Sequence, residues 1–431
     1  MKRSTPFAGT VLLLGAAALT AQYGPGRIWW DAGRGGILTW DEAYDDPDGQ
    51  VGIVNAKGPV HAEGHPFFEA LGTNGRACIT CHQPSNAMSL SAATIRERWR
   101  ESGGRDPIFA AVDGSNCPDA KQETEASHSL LLRRGLFRIA LPWPPKDPPE
   151  FQIEVVRDPT GCNTSPIYGI GGEQHAVSVF RRPRVAANLV EATVLMADGR
   201  AVSLEGQATE AALAHEQAAA PPTAVELRRI VEFERQIFTA QNSDVRGGLL
   251  GDTDGPAALG PANLAAGKPA GLAGAATAFG IWAAPKTSGE GIQRDFRASV
   301  ARGSELFFHR QFAGKTCATC HAMDIARWMD IGTANVAERE ASPDLPLFRI
   351  TCNGGRVFYT QDPGRALITG RCADIGMIAI QQFRGLAARA PYFSNGSAPT
   401  LRDVVEYYDR HFAITLSEGE KNDLVNFLKV L

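Results

Sequence analysis

Apolar positions along the chain fall mostly into helical spacing and only twice into alternation. In AVELRRIVEFERQIFTAQ (224–241), Leu227, Ile230, Val231, Phe233 and Ile237 share one side of a 3.6-residue period, which predicts a helix through the whole stretch. Helices are likewise predicted over 92–101 (AATIRERWRE), 297–308 (RASVARGSELFF), 400–412 and 416–431. Ser417 followed by Glu420 offers a capping box for the last of them. FQIEVVRD (151–158) and AVSVFRR (176–182) alternate as short strands do. From Asn242 to Gln293 Gly, Ala and Pro dominate, the composition of an interdomain connection rather than of a core element. Residues 22–60, rich in Gly, Asp and Trp, read as an irregular lead-in. The pattern as a whole predicts a mainly α fold.

The first residues change where this fold is expected to work. Lys2 and Arg3 precede an apolar run from Phe7 to Ala21, and Thr20 and Ala21 offer a small-residue cleavage point before Gln22. The run is shorter than the ~20 apolar residues a spanning helix needs. A cleaved export signal over 1–21 and a periplasmic mature protein without a membrane span are therefore expected. Of the 431 residues 44% are hydrophobic, enough for a real core, and a net charge of −4 leaves no footprint for nucleic acid.

Eight cysteines suit an oxidising compartment. Four pair naturally as Cys117 with Cys162 and Cys352 with Cys372. The other four recur in one small pattern, Cys78-Ile79-Thr80-Cys81-His82 and Cys317-Ala318-Thr319-Cys320-His321. CxxCH is the attachment signature of c-type haem: two thiols join the vinyl groups and the following His reaches the iron. A thioredoxin-like CxxC would want a βαβ setting and no trailing His, and a zinc site would want a second ligand pair nearby, whereas Cys117 is distant with no His beside it. Two covalently bound haem c groups are expected, with His82 and His321 as proximal iron ligands. The repeat divides the chain into a first haem domain over 61–241 with an insertion at about 106–172, a linker over 242–293 and a second haem domain over 294–431, as a duplication would.

The residues around these motifs resemble the bacterial di-haem cytochrome c peroxidase and MauG superfamily. ARGSELFF before AGKTCATCH is similar to the family's approach to its second haem. GLAARAPYFSNGSAPTLRDVVEYY is similar to LRN-ALTAPYFHDG-TLEEVV, and RRPRVAANLVEATVLMADGRAVSLEGQA to RN-P-LLN-A-FWDGRA-SLEEQA. The likeness covers most of 176–241 and 297–431 and leaves the lead-in and the insertion uncovered. It implies two mostly helical, cytochrome c-like domains, a C-terminal haem that passes electrons and an N-terminal haem that reacts with hydrogen peroxide. A small redox donor, a monohaem cytochrome or a copper protein, is the implied partner, and a homodimer is an assembly the family admits.

What completes each iron decides between enzyme and carrier, because a filled site leaves no room for substrate. For the second haem the resemblance points to Tyr408, with Met377 and His411 as rivals. For the first it points to Met196 as a thioether, and to His215, near the family's distal acid–base Glu, as a ligand or a mover of protons. Gln207 matches the Gln of SLEEQA. Three positions depart from the pattern. The Trp of FWDGR is Ala197, with Trp99 and Trp143 as candidate substitutes, and the His of PYFHDG is Ser394. The Asn that helps hold a calcium between the domains is Arg182, a fixed positive charge where the ion would sit, so calcium is not expected although Arg389 and Pro391 match its carbonyl ligands. Three readings stand: a di-haem oxidoreductase reducing peroxide, a non-catalytic electron carrier, and a di-haem oxygenase or radical-generating enzyme.

Overall fold

In the computed structural model the described residues are 29–190, 192, 194–267, 276–283, 291–321, 342–431 and the backbone of 328–330. The expected signal over 1–21 lies outside them. Among them no helix is long and apolar enough to cross a membrane.

The expectation of a mainly α fold is corrected: the chain is 33% helical and 19% strand, with several antiparallel sheets. One source of strand is the lead-in. Asp41–Asp46 and Gly49–Asn55 form a hairpin whose turn is closed by Asp46 Oδ1, which accepts from the Asp48 and Gly49 amides at 2.8 and 3.0 Å. The partner of the second strand is Ile237–Asp244, in register Val51↔Gln241 and Ile53↔Thr239, and Gly248–Leu249 completes a four-stranded sheet. The periodicity of 224–241 therefore describes two elements. A Thr223/Glu226 capping box starts the helix Ala224–Gln236, and at Ile237 the backbone turns extended (φ −90°, ψ 129°). Local period could not see a strand partner nearly 190 residues upstream.

The other source is the insertion. Phe137–Pro142 pairs with Ala176–Arg181, and Phe151–Arg157 joins the hairpin Leu347–Cys352/Val357–Thr360 in a three-stranded sheet. The segment thus bridges to the C-terminal part instead of decorating the first haem domain alone. Cys117–Cys162 and Cys352–Cys372 are disulfide-bonded, Cys352 within this sheet.

The stretch 242–293 is more than a connection. Leu250, Ala258, Leu259, Phe279 and Trp282 are buried in one cluster with Phe296, Phe307 and Phe427, and Trp282 is fully buried. Its Gly- and Ala-rich composition conceals these few bulky side chains, which carry most of the apolar area that burial removes from water. The helices Ile292–His309 and Glu418–Lys429 cross at Gly303, where an added Cβ would lie 2.0 Å from the Asp423 carbonyl, so only Gly permits the approach. The Leu431 carbonyl accepts from the Gln241 amide (3.1 Å) and the Gly385 amide (3.0 Å), tying the end of the chain to the four-stranded sheet.

Candidate functional site

The first CxxCH forms one helical turn, Cys78–Cys81. Thr80 Oγ1 accepts from the Ala77 amide at 3.1 Å, and the His82 amide donates to the Cys78 carbonyl at 3.1 Å. Gln83 fixes the turn to the lead-in: its Nε2 donates to the Ile79 carbonyl (2.6 Å) and the Trp30 carbonyl (3.0 Å), and its Oε1 accepts from the Trp30 amide (2.8 Å). His82 Nδ1 lies 3.1 Å from the Met88 carbonyl. A carbonyl only accepts, so Nδ1 carries the proton and Nε2 is left with a bare lone pair, the arrangement that suits a metal-ligating imidazole. Burial lowers the His82 pKa to about 4 and pushes the Cys81 thiol up to about 12, so the imidazole stays neutral and the thiol protonated.

Cys78, Cys81 and His82 line a cavity of about 1470 Å³, open mouth included. Met196, Gln207 and His215 line it too. The donor set, two thiols and a neutral imidazole on one wall, fits a c-type haem held by Cys78, Cys81 and His82.

His215 ends the helix Leu204–Ala214 and is tied to the insertion. Its Nδ1 lies 2.5 Å from Asp113 Oδ2. Asp113, 4% exposed, also pairs with Arg76, whose Nε and Nη2 donate to the Pro107 and Ile108 carbonyls at 2.7 and 2.6 Å. Burial alone would raise the Asp113 carboxyl, but the charges of Arg76 and His215 outweigh it and hold the group below the ordinary range. The carboxylate therefore accepts the Nδ1 proton, and His215 Nε2 is the free nitrogen. Asp113 and Arg76 were not foreseen; nothing in AVDGSNC or NGRAC marks them, since their partner lies 102 residues from Asp113.

Two further acids line the cavity. Glu216 Oε1 is 3.5 Å from Cys78 Sγ, and Oε2 accepts from the Leu71 amide at 3.0 Å; burial raises its pKa to about 7. Glu234 is 4% exposed, its Oε2 has no hydrogen-bond partner among the described residues, and burial with the charge of Glu205 raises it to about 8. Glu216 adjoins His215 in sequence and could have been found from it. Glu234 is one charged position inside an amphipathic helix and gave no signal.

Met196 adopts a left-handed backbone (φ 60°), a strained choice outside Gly. Its loop is held by Asp198, which is fully buried and accepts from Arg181 Nη1 (2.5 Å) and Arg200 Nη1 (2.9 Å). The Ala197 carbonyl accepts from the Ala379 amide at 2.8 Å, so the loop also touches the C-terminal part.

The second CxxCH repeats the first construction. Thr316 Oγ1 caps the turn Cys317–Cys320 by accepting from the Thr319 amide (3.2 Å), and the His321 amide donates to the Cys317 carbonyl (2.9 Å). The His321 ring lies 4.9 Å from Phe383 and 5.7 Å from Tyr408. Burial pushes the Tyr408 phenol up. Met377 sits in the strand Met377–Ala379, its carbonyl accepting from the Arg365 amide at 2.9 Å. His411 is exposed and stacks on Tyr407 at 5.4 Å. Of the three rivals, Tyr408 is thus the one placed against the His321 ring.

The Arg182 guanidinium, 7% exposed, is bound by three carbonyls: Leu90 (2.6 Å), Arg389 (2.8 Å) and Arg134 (3.1 Å). The Ser394 carbonyl accepts from its amide at 3.1 Å. Trp99 packs on Phe109 (4.8 Å), in the cluster that Cys81 also touches, whereas Trp143 packs on Phe151 in the bridging region.

No protein-family model matches the chain, and no curated protein matches it. Among solved structures it is similar to the crystal structure of a MauG-like protein associated with microbial copper homeostasis, at 16% identity over 59% of this chain and 74% of that one, with a TM-score of 0.37. A likeness at that TM-score assigns neither fold nor activity.

Proposed function

We propose that the protein is an exported di-haem c-type oxidoreductase that reduces hydrogen peroxide at its first haem with electrons delivered through the second. One observation carries the reading: a single cavity gathers Cys78, Cys81 and His82 with an imidazole, His215, that is oriented by a buried Asp113–Arg76 pair. Bound haem supplies a redox-active iron. An external donor supplies the electrons and solvent the protons, and the chain supplies the groups that hold the cofactor and move the protons. Cys78 and Cys81 would hold the group by two thioethers and His82 would present Nε2, its ring fixed by the Met88 carbonyl. Reduction of hydrogen peroxide to two waters consumes two electrons and two protons. His215 Nε2, bare in the neutral ring, is the atom that takes up a proton and hands it on, and Asp113 would stabilise the imidazolium formed in between. Gln207 adds a neutral donor and acceptor to the same wall. A monohaem cytochrome or a small copper protein is the matching donor class, and the export signal expected over 1–21 supports a meeting of the two in the periplasm.

Met196 favours a second reading. Its left-handed turn is held at the same cavity by buried ion pairs. If its sulfur fills the remaining position of the first haem, the protein carries electrons and does not turn over peroxide.

The test is peroxide-dependent oxidation of a reduced monohaem cytochrome. The enzyme reading expects turnover that falls by about 10²–10⁴ in His215→Gln with haem content unchanged, the range for loss of one general acid–base. No turnover in the unaltered protein, or full turnover in His215→Gln, would overturn it.

A further inference from the structure

Outside the cavity at Cys78, Cys81 and His82 a groove opens between the helices Ala92–Ser102 and Ser129–Arg134. Arg96, Trp99 and Arg100 of the first helix and Leu132 and Arg133 of the second line it, together with Glu125. Arg100 and Arg133 are exposed and make no hydrogen bond or ion pair among the described residues, and Arg96 donates only to the Leu132 carbonyl at 3.1 Å. Arg96 and Arg100 are four residues apart on one helix, a spacing at which like charges repel. The groove therefore holds three guanidinium groups against one carboxylate and leaves their charge without an internal partner.

Its floor is fixed. The Trp99 ring meets Phe109 edge-on at 4.8 Å and lies 4.9 Å from His128. Behind it is Gly104, where an added Cβ would fall 2.8 Å from the indole. The indole is thus clamped in place and presents a rigid aromatic surface at low entropic cost.

We infer that this groove binds a small aromatic carboxylate. A planar guanidinium fork matches a carboxylate in two bonds. The indole and Leu132 offer an apolar bed for a flat ring. A concave site between two helices suits a small molecule better than a flat protein face. Glu125 in the lining disfavours a compact dianion such as phosphate or sulfate. Trp99 and Cys81 pack on the same apolar cluster.

The experiment is isothermal titration of the full-length haem-loaded protein with benzoate, acetate, inorganic phosphate and benzylamine. Benzoate is expected to bind saturably. Acetate, lacking the ring, should bind at least about tenfold more weakly, as should benzoate to the Arg100→Gln/Arg133→Gln protein. Both arginines are exposed, so the variant keeps its fold, which its circular dichroism will verify. Absence of saturable benzoate binding, equal binding by benzylamine, phosphate binding as tightly as benzoate, or undiminished binding in the double variant each overturn the inference. An acidic protein that binds the face in place of benzoate does so as well.

Discussion

Replacing Arg182 by Met removes one buried guanidinium from a point where three parts of the chain meet. Leu90 follows the first CxxCH, Arg134 lies in the insertion and Arg389 in the C-terminal part, and their carbonyls all receive its protons. Burial and the nearby Arg389 charge lower its pKa to about 9, so charging this site is costly and the carbonyls offset the cost. Met has similar length and no donor. Each orphaned buried carbonyl costs about 1–3 kcal/mol. Relief of the desolvated charge returns part of that sum, so the net loss should be about 3 kcal/mol, at the low end for breaking a buried charged contact. Arg182→Lys keeps the charge but loses the fork and should lie between Met and the native residue. Hydrogen exchange reads the effect locally. The Ala92 amide bonded to the Ala390 carbonyl and the Arg182 amide bonded to the Ser394 carbonyl should lose about 100-fold in protection. A loss below about 1 kcal/mol, with protection unchanged at both amides, would refute the claim that this guanidinium joins the three segments.

Other expectations follow from the same contacts. Glu234 has its pKa raised to about 8 in the folded chain against 4.5 as the ordinary value, so the folded state holds its proton more tightly. The stability this gives is full below about pH 4.5 and is lost as pH rises through about 8; Glu234→Gln should remove that decline in urea midpoints measured from pH 5 to 9, and an unchanged decline would contradict the assignment. Removing the Cys117–Cys162 bridge, whose cysteines are 45 residues apart, should cost about 4 kcal/mol in urea unfolding. Cys78→Ala/Cys81→Ala should leave one covalent haem per chain by pyridine haemochrome assay, against two in the native protein. Asp113→Asn should lower peroxide turnover about 10–100-fold while the haem spectrum stays the same, as expected for a residue that only orients His215.

The two CxxCH turns were legible because each is five consecutive residues. The helices at 92–102 and 418–429 were legible because a Ser cap and an apolar stripe are local signals. The strands at 41–55 were not. Their Gly and Asp content reads as loop, and what makes them strands is the ladder to Ile237–Asp244, far away in sequence. Trp282 was hidden by the Gly and Ala around it, although one buried indole outweighs many small residues in area. At the site, Met196, Gln207 and His215 came from a resemblance in short motifs. Arg76 and Asp113 belong to no motif, and they become partners of His215 only when the insertion folds against the helix Leu204–Ala214. Arg182 was noticed as a charge out of place, but its three carbonyl partners are backbone atoms that no sequence displays.

The central claim, a reactive first haem with a free position facing His215, is tested most directly by carbon monoxide. The gas binds ferrous haem only where a coordination position is free or weakly held. Added to the fully reduced protein, it should change the visible spectrum of one haem of the two. A strong reduced spectrum with no response would mean that both irons are firmly closed, with Met196 the prime candidate at the first, and would replace the enzyme with an electron carrier.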